Sequence, residues 1–394
     1  MKKKEYICKE IVYKTIFYTY MNFKVSSAAL NSRLTCASKV LAAKNAMPIL
    51  DCFLLEISEG GQMTITASDT EKCYIATLPL QDYDGAGRFC VTAKTLLESL
   101  REIPEQPISF DLNFNTYELR AKHGSGQFSI MAQNADPYPA PRPVNEGNTL
   151  NLSAETLLSG INRSLFATAN DEVRLVMNGI FFDIKYDHII FAGTDGRKLV
   201  KNIVRGTQPG FEGHFILPKK VAHILKNVVG KDETDIRIVY THDRATITTA
   251  DMTMHFRLIE GNYPNYNAVI PTTNPYHAVI DRQAFASALK RVSVCCNQSS
   301  GLVKLELTHN NIHLTGQDTE YSTSAEEFLV CEYDNNPISI GFSCQFLIEI
   351  CNILDSENII LELADPSRPG LVRPAIEKEN EELIMLLMPM RVDD

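Results

Sequence analysis

The sequence has no tryptophan, no CxxC pair and no apolar run long enough to cross a membrane. It also has no GxxxxGK[ST] phosphate loop and no GxGxxG fingerprint, so neither an ATP site nor a dinucleotide site is expected, and no cofactor. Most of the ten cysteines stand singly inside apolar runs, as Cys36, Cys52, Cys90 and Cys351 do. They read as reduced, buried thiols rather than a disulfide framework, which fits a cytoplasmic chain. Basic excess is missing too: 38 Lys and Arg against 48 Asp and Glu give a net charge of −10. Taken alone, that argues against a polyanionic partner.

What is present is repetition. Strand-then-helix openings recur at Phe23-Lys24-Val25-Ser26-Ser27, Leu150-Asn151-Leu152-Ser153-Ala154 and Ala278-Val279-Ile280-Asp281-Arg282, roughly 127 residues apart. That is a domain-sized period. Amphipathic helices are predicted over Ser27–Leu41, Ala154–Ala167 and Arg282–Val294, each with a Ser or Asp cap. Apolar strand pairs follow: Ile49–Ile57 with Met63–Ala67, Gly179–Ile184 with Ile189–Ala192, and Leu302–Leu307 with Ile312–Thr315. A second strand–helix start sits inside each third, leading into helices over Ala93–Arg101, Lys219–Val229 and Cys344–Leu354. Pro-rich joints at Asp136–Pro143 and Pro264–Pro275 separate the thirds. The fold class is therefore α+β, three domains of two β-α-β-β-type halves each, over 21–144, 145–273 and 274–394. Residues 1–20, with a lysine cluster and no cleavage site, read as an extension or an early-called start outside the fold.

Charge is not spread evenly over this frame. The six predicted helices carry eleven basic residues, from Arg33 to Arg291, against Glu98, Glu155 and Glu349, with Glu102 and Asp281 at their edges. Basic helices on an acidic chain imply segregation, with helices facing a polyanion and sheets facing outward. Six similar halves can close into a ring or an arc.

Specific stretches then carry a resemblance. Met47-Pro48-Ile49-Leu50, Met177-Asn178-Gly179, Thr194-Asp195-Gly196-Arg197-Lys198-Leu199, Leu258 to Tyr266 (LIEGNYPNY), Ile340-Gly341-Phe342 and Met388-Pro389-Met390-Arg391 lie collinearly from Met21 to Arg391. In these the chain resembles the bacterial DNA polymerase III beta subunit family, the sliding clamps. The resemblance implies three DNA-clamp domains per chain and a head-to-tail dimer ring, with helices inside and sheets outside. It implies that the ring encircles duplex DNA without sequence preference and gives the replicative polymerase its processivity. It implies no catalytic residues, no metal and nucleoid-associated action. A ring held by topology needs only a weakly basic lining, which resolves the conflict over charge.

The resemblance also assigns residues. A hydrophobic groove between the second and third domains would take short apolar motifs from the replicative polymerase, the clamp loader, repair polymerases and ligase. The matching positions are Thr194, Gly196, Arg197, Leu199, Pro264, Val269, Leu386, Met388, Pro389, Met390 and Arg391. Arg197 stands where the family often has His, and Ala268 where it has a basic residue, so the preferred peptide is expected to differ. Lys44, Arg174 and Lys220 match DNA-facing positions, and Val294 and Cys295 match the homodimer seam. An open, non-ring DNA-binding crescent is the alternative. An enzyme using Asp69, Asp195 and Asp318 is the more distant one, since an aspartate recurring after a hairpin strand in every copy reads as a turn residue. His309 and His313 have metal-like spacing, but Asn310-Asn311 marks a turn between them.

Overall fold

The computed structural model describes residues 19–124, 126–231 and 235–392. It divides into two compact units, Met1–Pro141 and Arg142–Asp394. The first unit holds β1 (Tyr20–Ser26), α1 (Ser27–Ser38), β2 (Cys52–Ile57), β3 (Gln62–Ser68), β4 (Lys72–Pro79), β5 (Asp82–Asp84), β6 (Gly87–Thr92), α2 (Ala93–Arg101), β7 (Pro107–Asn113), β8 (Glu118–His123) and β9 (Gly126–Asn134). Apart from the short β5, this is one β-α-β-β-β half followed by another. The first strand of each half crosses into the other half's sheet: β1 pairs with β7 and β6 with β2, both antiparallel. The crossing ties the two halves into one domain.

The second unit repeats the plan twice. The first copy runs β10 (Asn148–Leu152), α3 (Ala154–Ser164), β11 (Gly179–Ile184), β12 (His188–Thr194), β13 (Lys198–Arg205), β14 (Gly213–Pro218), α4 (Lys219–Val228), β15 (Ile236–Tyr240), β16 (Arg244–Thr248) and β17 (Met252–Arg257). The second runs β18 (Tyr276–Asp281), α5 (Arg282–Ser293), β19 (Leu302–Thr308), β20 (Asn311–Asp318), β21 (Thr323–Val330), β22 (Ile338–Ser343), α6 (Cys344–Ile353), β23 (Asn358–Leu363), β24 (Gly370–Pro374) and β25 (Glu381–Leu387). Within each copy the two helices pack on each other: α1 on α2, α3 on α4, α5 on α6.

Local chemistry explains the helix starts. Ser26 and Ser153 accept backbone N–H bonds from Ala29 and Thr156, each at 3.2 Å, and Asp281 accepts from Ala284 at 2.6 Å. Each such cap stabilises its helix by about 1 kcal/mol. In α2 the buried residues are Ala93, Leu96 and Leu100, an i, i+3, i+7 stripe. Burying each leucine contributes roughly 1.5–3 kcal/mol.

Four expectations need correction. The strand expected from Ile49 begins at Cys52, because Pro48–Asp51 forms a 3-10 turn with proline at its start, where a fixed φ and a missing N–H are tolerated. The helices expected to reach Leu41 and Ala167 stop at Ser38 and Ser164, the latter running on as a 3-10 turn over Leu165–Ala167. The segment set aside at the N-terminus contributes Tyr20, which pairs with Asn113 at the start of β1; residues 1–18 of it lie outside the described residues. Two helix cations also do structural work. Arg282 donates to the carbonyls of Ser356 (2.7 Å) and Cys351 (2.9 Å) at the end of α6, and Arg163 is buried against Glu381 at 2.5 Å. Neither is available to a polyanion.

Candidate peptide groove between the second and third domains

The site begins where two domains share one sheet. Strand β13 pairs antiparallel with β25 from Lys198↔Leu387 to Val204↔Glu381, making an eight-stranded sheet across the second and third domains. Its ladder places Leu199 directly opposite Leu386. Both are buried, in a small core with Ile190, Ala192, Ile203, Tyr266, Leu371 and Ile384.

The turn into β13 is fixed by its own side chains. Thr194 Oγ1 donates to the Lys198 carbonyl at 2.8 Å and accepts the Gly196 N–H at 3.1 Å. Asp195 Oδ1 accepts the N–H groups of Arg197 and Lys198 at 2.8 and 2.9 Å. Gly196 lies at φ +88°, where a side chain would be strained. Asp69 and Asp318 make the same turn in the other two copies, the first accepting from Glu71 and Lys72 and the second from Glu320 and Tyr321. This is Asx-turn geometry, so all three recurring aspartates have a turn-forming task.

Behind the turn Lys198 crosses to the third domain. Its ammonium meets Glu349 Oε2 of α6 at 2.9 Å and sits 4.0 Å from the Phe346 ring centre and 5.2 Å from that of Phe166. Only 7% of its side chain is exposed, so the carboxylate and the two ring faces stand around the ammonium where water otherwise would. Beside it, burial and then the neighbouring Lys198 hold the Lys219 ammonium below the ordinary lysine range.

The second wall is the stretch expected to be a linker. Tyr263 stacks on Phe181, with ring centres 4.7 Å apart and planes 4° apart, and Tyr266 donates to Asp183 Oδ2 at 2.6 Å. Burial, and for Tyr266 the adjacent Asp183 carboxylate, pushes both phenols well above their usual range. Anchored by these rings, the segment lies over the sheet. It leaves Val269 exposed and Pro264 half-buried.

The C-terminal stretch supplies the third wall. The Met388 N–H bonds the Arg197 carbonyl at 2.8 Å and the Met390 N–H bonds the Gly341 carbonyl at 2.8 Å, so one stretch is clasped by both domains. Met388 is 42% exposed and Met390 half-buried. Flexible, polarisable thioethers over an apolar floor suit several apolar side chains.

Thr194, Gly196, Arg197, Leu199, Leu386 and Met388 are thus brought into direct contact or adjacent register, with Pro389, Met390 and Arg391 following on the clasped stretch and Pro264 and Val269 on the overlying one. Of the expected DNA-facing residues, Lys44 is exposed in the turn after α1 and Lys220 is exposed at the start of α4. Arg174 instead sits beside the groove turn: a Cβ added to Gly196 would lie 3.2 Å from its Nη1. It is held there by Asp171, whose Oδ2 it meets at 2.8 Å. Val294 (81% exposed) and half-buried Cys295 follow α5. Sequence reasoning missed Phe166, Phe346 and Glu349 as partners of Lys198. Among the described residues no cluster of three metal-ligating side chains occurs; His313 is engaged by Glu306 and Glu326 at 3.0 and 3.1 Å. No helix of the described residues is long and apolar enough to cross a membrane.

Comparison with known proteins covers nearly the whole described chain. Residues 21–142 match the DNA polymerase III beta subunit N-terminal domain, 151–265 its central domain and 267–391 its C-terminal domain. A beta sliding clamp of Pseudomonas aeruginosa is 26% identical over 376 residues, covering 94% of this chain and all of that relative. One of Synechococcus elongatus is 27% identical over 351 residues, covering 88% and 93%. The crystal structure of the Thermotoga maritima DNA polymerase III beta subunit superposes with a TM-score of 0.87 at 26% identity, covering 95% of this chain and all of that one. A sliding clamp of Bartonella birtlesii, solved bound to griselimycin, does so with the same score, identity and coverage. With all three of its domains matched in order, the chain belongs to the DNA polymerase III beta subunit family.

Proposed function

We propose that the protein is a non-catalytic sliding clamp that closes as a head-to-tail homodimer around duplex DNA and tethers the replicative polymerase through the groove. Clamp loader, repair polymerases and ligase would share that groove, in the cytoplasm at the nucleoid. The observation that carries the reading is the β13·β25 ladder. It joins the third strand of one domain's first half to the last strand of the next domain. Among the other strands at these two positions are β21 in the third domain and β9 in the first. β21 is a sheet edge, with Phe328 and Val330 exposed at 62% and 83%. β9 pairs with β6 through Ala132, Gln133 and Asn134, but over Gly126–Met131 it pairs only with β8 among the described residues, an open stretch that carries Met131, 62% exposed. Edges of this kind template pairing with another chain, so β21 of one copy and β9 of a second are the complementary seam, flanked by Val294 and Cys295. Two such seams close a ring.

The groove's mixture of apolar wall and flexible methionine fits short apolar motifs. Arg174 and Arg197 at its rim favour motifs carrying a carboxylate beside the apolar residues. The test is retention on a nicked circular plasmid after loading with a clamp loader and ATP. The protein is expected to stay on the circle in high salt and to be lost when a restriction enzyme linearises the DNA. Equal stripping by salt from circle and linear DNA would replace the ring with an open, electrostatic crescent.

A further inference from the structure

The three copies solve one problem differently. The opening strand of each copy lies at the edge of its sheet, and an open edge invites pairing. In the first copy, the connector 80–86 covers β1 with β5, through Asn22↔Asp84, Phe23↔Tyr83 and Lys24↔Asp82. In the third, the connector 331–337 covers β18 with a bridge in which Val279 and Glu332 exchange N–H bonds at 3.0 and 2.9 Å. In the central copy the connector 206–212 (GTQPGFE) has the same length but cannot lie as a strand. Gly206, Gln208 and Gly210 have φ of +87°, +39° and +77°, Pro209 has no N–H to donate, and Gly210 bonds the Tyr186 carbonyl at 2.9 Å instead. Among the described residues β10 pairs only with β15.

A cavity of about 760 Å³ opens at the start of this uncovered strand, where Gly147 and Asn148 face β14 and the 259–262 stretch, whose Ile259 N–H bonds the Ile216 carbonyl at 3.2 Å. Its wall includes Tyr240, which is 3% exposed and whose hydroxyl makes no hydrogen bond of normal geometry although Asn148 lies near it. Gly213 leaves room for that hydroxyl, since a Cβ there would be 2.4 Å from it. Phe215 provides an apolar floor, its ring centre 4.7 Å from that of Tyr240. The rim is acidic. Glu212 has no partner among the described residues, and Glu260 has only a 3.4 Å contact to Arg257 across an exposed surface.

We propose that this slot in the central domain docks an extended lysine- or arginine-bearing peptide strand of a partner protein, which completes the β10 edge and places its cations against Glu212 and Glu260. Backbone pairing supplies the affinity and the acidic rim the sign of the ligand. The same rim disfavours a nucleic acid or an anionic membrane.

The probe is a labelled seven-residue peptide alternating lysine with valine and threonine, titrated against the full chain by fluorescence anisotropy. Saturable binding is expected, unchanged when the groove is filled with a saturating apolar peptide. It should weaken at least tenfold in Glu212→Lys with Glu260→Lys, and be lost when residues 206–211 are replaced by the sequence of 80–85 (LQDYDG), which restores a cover and keeps Glu212. Both variants should keep the parent's melting temperature and groove-peptide affinity. No saturable binding, equal binding of a proline-substituted peptide that cannot pair, equal binding to the charge-reversed variant, or displacement by the groove peptide would each overturn the proposal. The double charge variant keeps the test decisive if the connector replacement does not fold.

Discussion

Strands β13 and β21 occupy the same place in consecutive repeats and have opposite fates. β13 is buried along almost its whole length and is flanked by β12 and β25. Among the described residues β21 is paired only with β20, and every second residue along it faces solvent. The sequences carry the difference: KLVKNIVR keeps apolar side chains toward both faces, whereas TSAEEFLV places Ser324, Glu326, Phe328 and Val330 on the open one. One repeat position can therefore be a permanent intramolecular seam or an edge available to a second copy, according to which face is apolar and what polar pairs surround it.

The most severe way to break the contrast is to make β13 resemble an exposed strand. Val200→Asp would bury an unpaired carboxylate at a fully buried position, costing about 4 kcal/mol or more. Its expected outcome is loss of cooperative unfolding of the second unit in a thermal melt. Next comes the open edge. Val294→Lys with Val330→Lys, both above 80% exposed, should leave the monomer's melting temperature unchanged while weakening self-association about a hundredfold, ~2.7 kcal/mol. Sedimentation velocity across a dilution series reads it.

Lys198 sharpens the comparison at the groove. Lys198→Ala leaves Glu349 without its cation and two ring faces without a partner, at a cost of about 2 kcal/mol after allowing for the partial exposure of Glu349. Apolar motif peptides should bind several-fold more weakly, and Lys198→Arg should restore most of that affinity, measured by calorimetry. The smallest effect belongs to Asp171. Backbone N–H bonds from Arg174 and Val173, and then the Arg174 side chain, hold its carboxyl below the usual aspartate value. A depressed carboxylate contributes order that is complete above about pH 4 and is lost as pH falls through its lower folded value. Proton spectra of the Arg174 amide should shift in that window, and Asp171→Asn should remove the shift.

Much of the frame was legible in the residues. The helix over Ala93–Arg101 and the strand Gly179–Ile184 fall where their apolar spacing and flanking residues put them. Ser26, Ser153 and Asp281 announced their helices because capping is local chemistry, written within a few residues. The candidate groove was named only by resemblance, and the contacts around it were not legible at all. Lys198 and Glu349 are 151 residues apart, and Arg163 and Glu381 further still. Nothing in local periodicity links residues at such separations. Pro264–Pro275 looked like a joint because prolines interrupt periodicity, while Tyr263 and Tyr266, the rings that bind the stretch to the sheet, give no signal distinct from ordinary loop aromatics. Arg174 was grouped with surface cations because its partner Asp171 is local, while the Gly196 turn beside it is brought near only by the fold.

The ladder between β13 and β25 has a mechanical consequence. Seven residue pairs, Lys198↔Leu387 through Val204↔Glu381, cross the boundary between two domains, so tension applied along these strands loads their backbone bonds together in shear. Tension applied across them would open the pairs one at a time. The joint is accordingly stiff in one direction and compliant in the other, a hinge whose axis is set by the direction of a strand.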